Sequence, residues 1–198
     1  MSHRSLTIEM PEWVAAYAGC RLKSGDRSRM EVAIELSARN VAEATGGPFG
    51  AVIVEESTGV VAGAGVNLVV DQRTSLAHAE AIATLAAQRH AATFDLAAKQ
   101  SCRYTLYASG QPCIMCLGIL WWSGVTRLVF AARNEDIEQI AGFCEGPLPE
   151  NWRQKFASRK GLPAIEVVPD LLRDQACDVL RDYAKAGHQV YNPGSSAT

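Results

Sequence analysis

Residues 104–131 read YTLYASGQPCIMCLGILWWSGVTRLVFA, and this stretch decides the fold. Tyr104–Ala108 reads as a short strand. Pro112 stands where a helix opens, because the N–H that proline lacks would have no partner there. Cys113–Trp122 continues that helix, Ser123-Gly124 breaks it, and Val125–Ala131 is the next strand.

Working outward, Leu76–His90 is rich in alanine and leucine and reads as a helix with Ser75 as N-cap. Before it, Phe49–Glu55 and Val60–Val70 are strands joined by a turn at Glu56–Gly59, which makes a hairpin. Met30, Ala33, Ile34 and Val41 share one face of a helix that starts at Ser28 and ends at Gly46-Gly47-Pro48. On the far side come a short helix, Glu135–Ala141, an ordered loop, Gly142–Trp152, a fifth strand, Ile165–Val168, and a last helix, Leu171–Ala186. A helix between the fourth and fifth strands makes that pair parallel. The order implies an α/β fold, with a central five-stranded mixed sheet covered by helices on both faces as three layers, α/β/α. Residues 28–190 form the expected domain. Residues 1–27, with a helical turn at Pro11–Ala18, form an N-terminal extension, and residues 191–198 a C-terminal tail.

The chain has 198 residues, 48% apolar and 20% charged, with a formal net charge of −2. This suits one soluble globular domain with a sizeable core. A nucleic-acid binder usually carries a basic surplus, so that role is disfavoured. The apolar run Ile114–Trp122 is far shorter than the roughly 20 residues that cross a bilayer. Met1–Met10 lacks the apolar centre of a signal peptide, so a cytoplasmic location is expected. Six cysteines in a chain of this length point to metal or redox work more than to a disulfide scaffold.

Two motifs carry chemistry: His78-Ala79-Glu80 and Pro112-Cys113-Ile114-Met115-Cys116. One imidazole and two thiolates suit zinc, with a fourth position left for water. Cys113 and Cys116, three apart at a helix start, both face one ion, and the helix N-terminus favours thiolates. Zinc lowers the pKa of its water from 15.7 to about 7, so hydroxide is available near neutral pH. Glu80, two residues from His78, is placed to carry protons rather than to ligate. The ordered pair H-x-E and P-C-x-x-C is the known signature of zinc deaminases. The alternative is a noncatalytic zinc-bound module. It needs a fourth protein ligand; Cys20, Cys102, Cys144 and Cys177 do not pair at metal spacing and read as buried small hydrophobes.

Gly47-Pro48-Phe49-Gly50-Ala51-Val52 together with the two motifs resembles the cytidine and deoxycytidylate deaminase superfamily, over roughly residues 30–190. Ser123-Gly124-Val125, Ala132-Arg133-Asn134-Glu135-Asp136, Gly142-Phe143-Cys144-Glu145-Gly146-Pro147 and Pro149-Glu150-Asn151-Trp152 resemble its guanine deaminase branch, which includes enzymes acting on the triazine ammeline. The resemblance implies a cytidine deaminase-like fold and zinc held by His78, Cys113 and Cys116. It also implies hydrolysis of guanine to xanthine and ammonia by a homodimer. By the same resemblance Asn67 bonds the purine ring, Phe49 and Phe143 flank it, Ala79 lies against it, and Glu145 is a second proton shuttle beside Glu80. Cys144 departs from the acid expected at that loop position in some relatives. Tyr191 lies in a tail that covers the site in relatives.

Other readings stand beside these. Asn67 suits a turn, Phe49 the core and Glu145 a loop cap. Trp121 and Trp122 suit the core or a subunit contact, and His90 and His188 the surface. A guanosine, cytosine or tRNA-adenosine deaminase is the nearest rival. Arg153, Lys155, Arg159 and Lys160 form the basic cluster that a tRNA editor would use.

Overall fold

The computed structural model describes residues 7–98 and 101–194. Expectations that fall on residues 1–6 and 195–198 lie outside the described residues. The strands are β1 (Gly50–Glu55), β2 (Val60–Val66), β3 (Tyr104–Gly110), β4 (Arg127–Ala132) and β5 (Glu166–Val168). They form one mixed sheet in the order β2-β1-β3-β4-β5. β1 runs antiparallel to β2 and β3, whereas β3–β4 and β4–β5 are parallel. The expected five-stranded mixed sheet and its parallel last pair are present.

The strands carry almost unbroken apolar runs because both faces of the sheet are covered. Val52, Val54, Tyr107 and Val129 point to one face, which packs on α2 (Asp26–Ala42) and α7 (Arg173–Lys185). Ala51, Ile53, Leu106, Leu128 and Phe130 point to the other, beneath α3 (Ala79–His90), α4 (Ile114–Ser123) and the short α6 (Trp152–Ala157). Three layers result. Met30, Ala33 and Ile34 are buried as their spacing requires, and Val14, in the short α1 (Glu12–Ala15), also enters the core. At two positions α3 and β2 touch backbone to backbone. A Cβ at Gly63 would stand 2.2 Å from Ala83 O, and one at Gly65 2.3 Å from Ala79 O. β2 can therefore hold α3 at this distance only with glycine at both places.

Several boundaries differ from expectation, and two of the differences shape the site. β2 stops at Val66, not Val70. Beyond it Leu68 N–H donates to Ala77 O, and Val69 N–H to the Asn67 side-chain oxygen, so the chain turns out of the sheet. α3 begins at Ala79, not Leu76, and Ser75 does not cap it. Residues 74–77 instead turn around Thr74, whose carbonyl accepts Ala77 N–H and whose hydroxyl accepts Leu76 N–H. α2 starts earlier, at Asp26. The segment expected as one short helix divides into α5 (Asn134–Asp136) and a π turn, Ile137–Ala141. α6 starts at Trp152, the last residue of the expected loop, and runs on through residues given no element, with Trp152 and Phe156, one turn apart, buried together.

Candidate active site

The site lies where β3 and β4 end and where the N-termini of α3 and α4 converge, a normal location for ligands in α/β sheets. His78 is the N-cap residue of α3 and Cys113 that of α4, so each side chain projects from a helix mouth. Cys116 sits one turn into α4 and is fully buried. Nδ1 of His78 lies 3.6 Å from both the Cys113 and the Cys116 sulfur. The three ligand atoms all fall within 4.8 Å of one another. Tetrahedral zinc with Zn–S near 2.3 Å and Zn–N near 2.05 Å requires an N···S separation of about 3.6 Å. The donor set and its spacing therefore fit zinc without rearrangement.

Charge is concentrated here. A hydrogen bond from Cys116 pulls the Cys113 thiol down to about 4, while the same contact, with burial, pushes Cys116 well above its ordinary value. Burial opposes protonation of His78, but Cys113 and Glu80 outweigh it and its pKa rises. Glu80 lies in the first turn of α3, and burial, followed by the Cys113 charge, raises its pKa. Glu145 is raised to about 8, first by desolvation and then by Cys113 and Glu80.

Beside the sulfur and imidazole cage is a cavity of about 210 Å³. Phe49, Asn67, His78, Ala79, Glu80, Cys113, Phe143 and Glu145 all line it. Cys116 stands behind, reaching the cage but not the cavity wall. The aromatic side is a packed series. Phe49 meets Phe143 edge to face at 5.2 Å, and Phe143 meets Tyr183 of α7 at 5.8 Å. Asn67 both turns the chain and lines the cavity. Its Oδ1 accepts Val69 N–H at 3.3 Å.

A match over residues 23–132 identifies the family described as the cytidine and deoxycytidylate deaminase zinc-binding region. The chain belongs to this family. Among solved structures, the deaminase resembles the guanine deaminase from Nitrosomonas europaea, with 40% identity, a TM-score of 0.86, and coverage of 93% of this chain and 99% of that one. Structures of a protein designated NE0047 hold 8-azaguanine or 2,6-diaminopurine, and the latter is 41% identical with a TM-score of 0.88 over 96% of this chain and 98% of that one. Among curated relatives, a probable cytosine deaminase of Schizosaccharomyces pombe is 34% identical over 65% of this chain and 74% of its own length. The guanine deaminase of Bacillus subtilis is 36% identical over 56% of this chain and 66% of its own length. The fold of the deaminase is thus the cytidine deaminase-like one, and zinc is its metal.

The tail also reaches the deaminase's cavity. Tyr191 and Pro193 line it, and Asn192 between them clamps the Glu145 loop. Asn192 Oδ1 accepts Cys144 N–H at 2.7 Å and its Nδ2 donates to Gly142 O at 2.9 Å. Gln111, Ser75, Met115 and Cys144 also line the cavity, and sequence reasoning gave none of them a role there. Gln111 was the most accessible of these, as the polar residue directly before Pro112-Cys113. The expectation that all four remaining cysteines are buried is corrected. Cys177 is buried, but Cys102 is half-buried and Cys20 and Cys144 are exposed. Cys144 is exposed because it sits on the loop between cavity and tail. Trp121 packs against Phe156, whereas Trp122 is 76% exposed. His90 is exposed, and His188 stacks on Tyr183 at 4.9 Å.

Proposed function

We propose that this deaminase hydrolyses guanine to xanthine and ammonia, with an aminotriazine such as ammeline as a second substrate. One observation carries the reading: a small, flat-walled cavity places an amide donor, an aromatic pair and two carboxyl groups around the zinc cage. The relatives support the same substrate. NE0047 was crystallised with 8-azaguanine as variants of a single asparagine and of a single glutamate, which accords with binding and proton-transfer roles for Asn67 and Glu145.

In this reading Phe49 and Phe143 hold the ring edge-on to the cage, and Asn67 Nδ2 donates to its oxygen acceptor. Ala79, the small residue between His78 and Glu80, lets the ring approach α3. His78, Cys113 and Cys116 would hold the zinc, which would supply a Lewis acid able to make water acidic near neutral pH. Glu80 accepts a proton from the attacking water and delivers it to the ring nitrogen beside the reacting carbon. Glu145, whose desolvated carboxyl keeps its proton up to about pH 8, gives a proton to the departing amine. As the carbon–nitrogen bond breaks and the carbonyl forms, the hydroxyl's remaining proton returns to the Glu145 carboxylate, so water's two protons end on the ring nitrogen and on ammonia while its oxygen stays on the ring.

The assay is ammonia release from a panel of guanine, guanosine, cytosine, adenosine-containing tRNA, and ammeline. Turnover of guanine well above the others is expected; turnover of none of the purines would sink the substrate assignment. A tRNA substrate is disfavoured by the cationic cluster itself. Arg153 lies over the Phe130 and Trp152 rings and Arg159 over Trp121, so two of its four cations are engaged in packing.

The functional unit is a deaminase domain over residues 28–190, framed by 1–27 and 191–198, and it works as a homodimer. Support comes from α4, where Ile114 and Trp122 are 49% and 76% exposed, two turns apart on one face with Gly118 between them. Exposed apolar faces of this kind mark contacts between proteins. Sedimentation of the wild type as a monomer would remove this part. Cytoplasmic residence accords with six cysteines that are all unpaired.

A further inference from the structure

Asn40 is completely buried near the end of α2, outside the cavity, and no step above uses it. Its side chain is nevertheless fully engaged, and with the cavity's walls. Nδ2 donates to two carbonyls, Gly47 O at 2.8 Å and Asn67 O at 2.9 Å. Oδ1 accepts from the Thr45 hydroxyl at 2.6 Å, and Thr45 N–H donates to Asn40 O at 3.1 Å. Gly47 lies two residues before Phe49, and Phe49 O accepts Asn67 N–H at 3.1 Å. One carboxamide therefore ties the loop leading to the aromatic wall to the loop that presents the amide donor.

The join has no slack. A Cβ at Gly46 would stand 1.9 Å from Asn67 O and 3.0 Å from Asn40 Nδ2, and one at Gly47 3.2 Å from Asn67 Oδ1. The two loops touch closely enough that a small displacement of either shifts the other. His78 and Glu80 hang from α3, and Cys113 and Cys116 from α4, so the reacting centre is mounted separately from this join.

We infer that Asn40 is a positioning residue for substrate recognition, acting through Asn67 and Phe49 to set the affinity of the site for a planar heterocycle with a hydrogen-bond acceptor on its edge. The inference rests on the reading that Asn67 and Phe49 hold the substrate. Asn40→Asp preserves size but removes both donors. A misplaced donor forfeits one hydrogen bond to the ligand, worth roughly 3- to 10-fold in affinity, so KM for guanine and Kd for 8-azaguanine should rise together by about that factor. The kcat value and zinc stoichiometry should stay near those of the parent. Thr45→Val, which removes the hydroxyl contacts to the carboxamide oxygen and to Asn40 O but leaves both Nδ2 bonds, gives a milder variant that should show the same split at smaller size.

The experiment measures KM, kcat, 8-azaguanine Kd, zinc content and thermal midpoint for Asn40→Asp, Thr45→Val, Asn67→Ala and the Asn40→Asp/Asn67→Ala double variant. Once Asn67 is alanine, the additional effect of Asn40→Asp should shrink markedly. Unchanged KM and Kd in zinc-loaded, folded Asn40→Asp and Thr45→Val would overturn the inference and leave Asn40 a structural residue only. An Asn67→Ala variant with parental KM would instead overturn the reading beneath it, so the two failures are distinguishable.

Discussion

Replacing Glu80 by glutamine should separate chemistry from stability. The change keeps size and hydrogen-bonding capacity but removes the base. Positioned proton transfer contributes roughly 10²–10⁴-fold, so kcat should fall by that factor, a barrier increase of about 2.7–5.5 kcal/mol. Folding should respond in the opposite sense. Glu80 is buried, and desolvation followed by the Cys113 charge already disfavours its ionised form. A neutral amide at this place relieves that cost, as often happens where function imposes strain on stability. Zinc should remain equimolar, because His78, Cys113 and Cys116 are untouched and already stand at zinc spacing. Ammonia release, calorimetric thermal midpoint and elemental analysis on one preparation test all three points. Activity within tenfold of the parent would refute the proton-carrying role. Loss of zinc would show that Glu80 ligates the metal.

Other perturbations probe the cage, the sheet and the charge cluster at the opposite end of β3. Cys113→Ala should lose zinc on dialysis and with it all activity; retained stoichiometric metal would mean that the ligand set is wrong. Gly65→Ala places a methyl group against Ala79 O, and overpacking of this kind costs about 1–3 kcal/mol. A fall in urea midpoint with a drop in activity is expected, and a neutral result would show that α3 can move away from β2. Asp26 is bonded by both terminal nitrogens of Arg127 at 2.7 Å and by Tyr107 at 2.8 Å, and Arg127 foremost holds its carboxyl below the ordinary range. The folded protein then binds fewer protons at Asp26 than the unfolded chain. Its contribution is present above the ordinary aspartate range and is lost as pH falls through the depressed value. Urea midpoints measured from pH 6 downward should show this acid loss in the parent and a smaller slope in Asp26→Asn; equal slopes would exclude Asp26 as a source.

The sheet and the cage were legible because both are local in sequence. Each strand is a short apolar run with turn residues beside it, and H-x-E and P-C-x-x-C place ligands at helix starts by spacing alone. What depends on partners distant in the chain was not legible. Val69 and Val70 look like a continuation of β2, and only the hydrogen bond from Leu68 to Ala77 O shows why the strand ends early enough to release Asn67. Ser75 has the chemistry of an N-cap, but Thr74 takes the local hydrogen bonds and moves the helix start to Ala79. Trp152 looked like a loop residue because its burial comes from the sheet face beneath it. Asn40 has no motif. A lone asparagine on a helix looks like solvated surface until Gly47 and Asn67 are seen to converge on it.

The seating of α3 on β2 has an evolutionary consequence. Since Gly63 and Gly65 bring backbone against backbone, the angle at which α3 presents His78 and Glu80 to the cavity depends little on side-chain drift. The mouth, by contrast, is assembled from three separate loops around Asn67, Phe143–Glu145 and Tyr191–Pro193. A lineage can therefore exchange one heterocycle for another by editing the mouth while inheriting the hydrolytic apparatus whole.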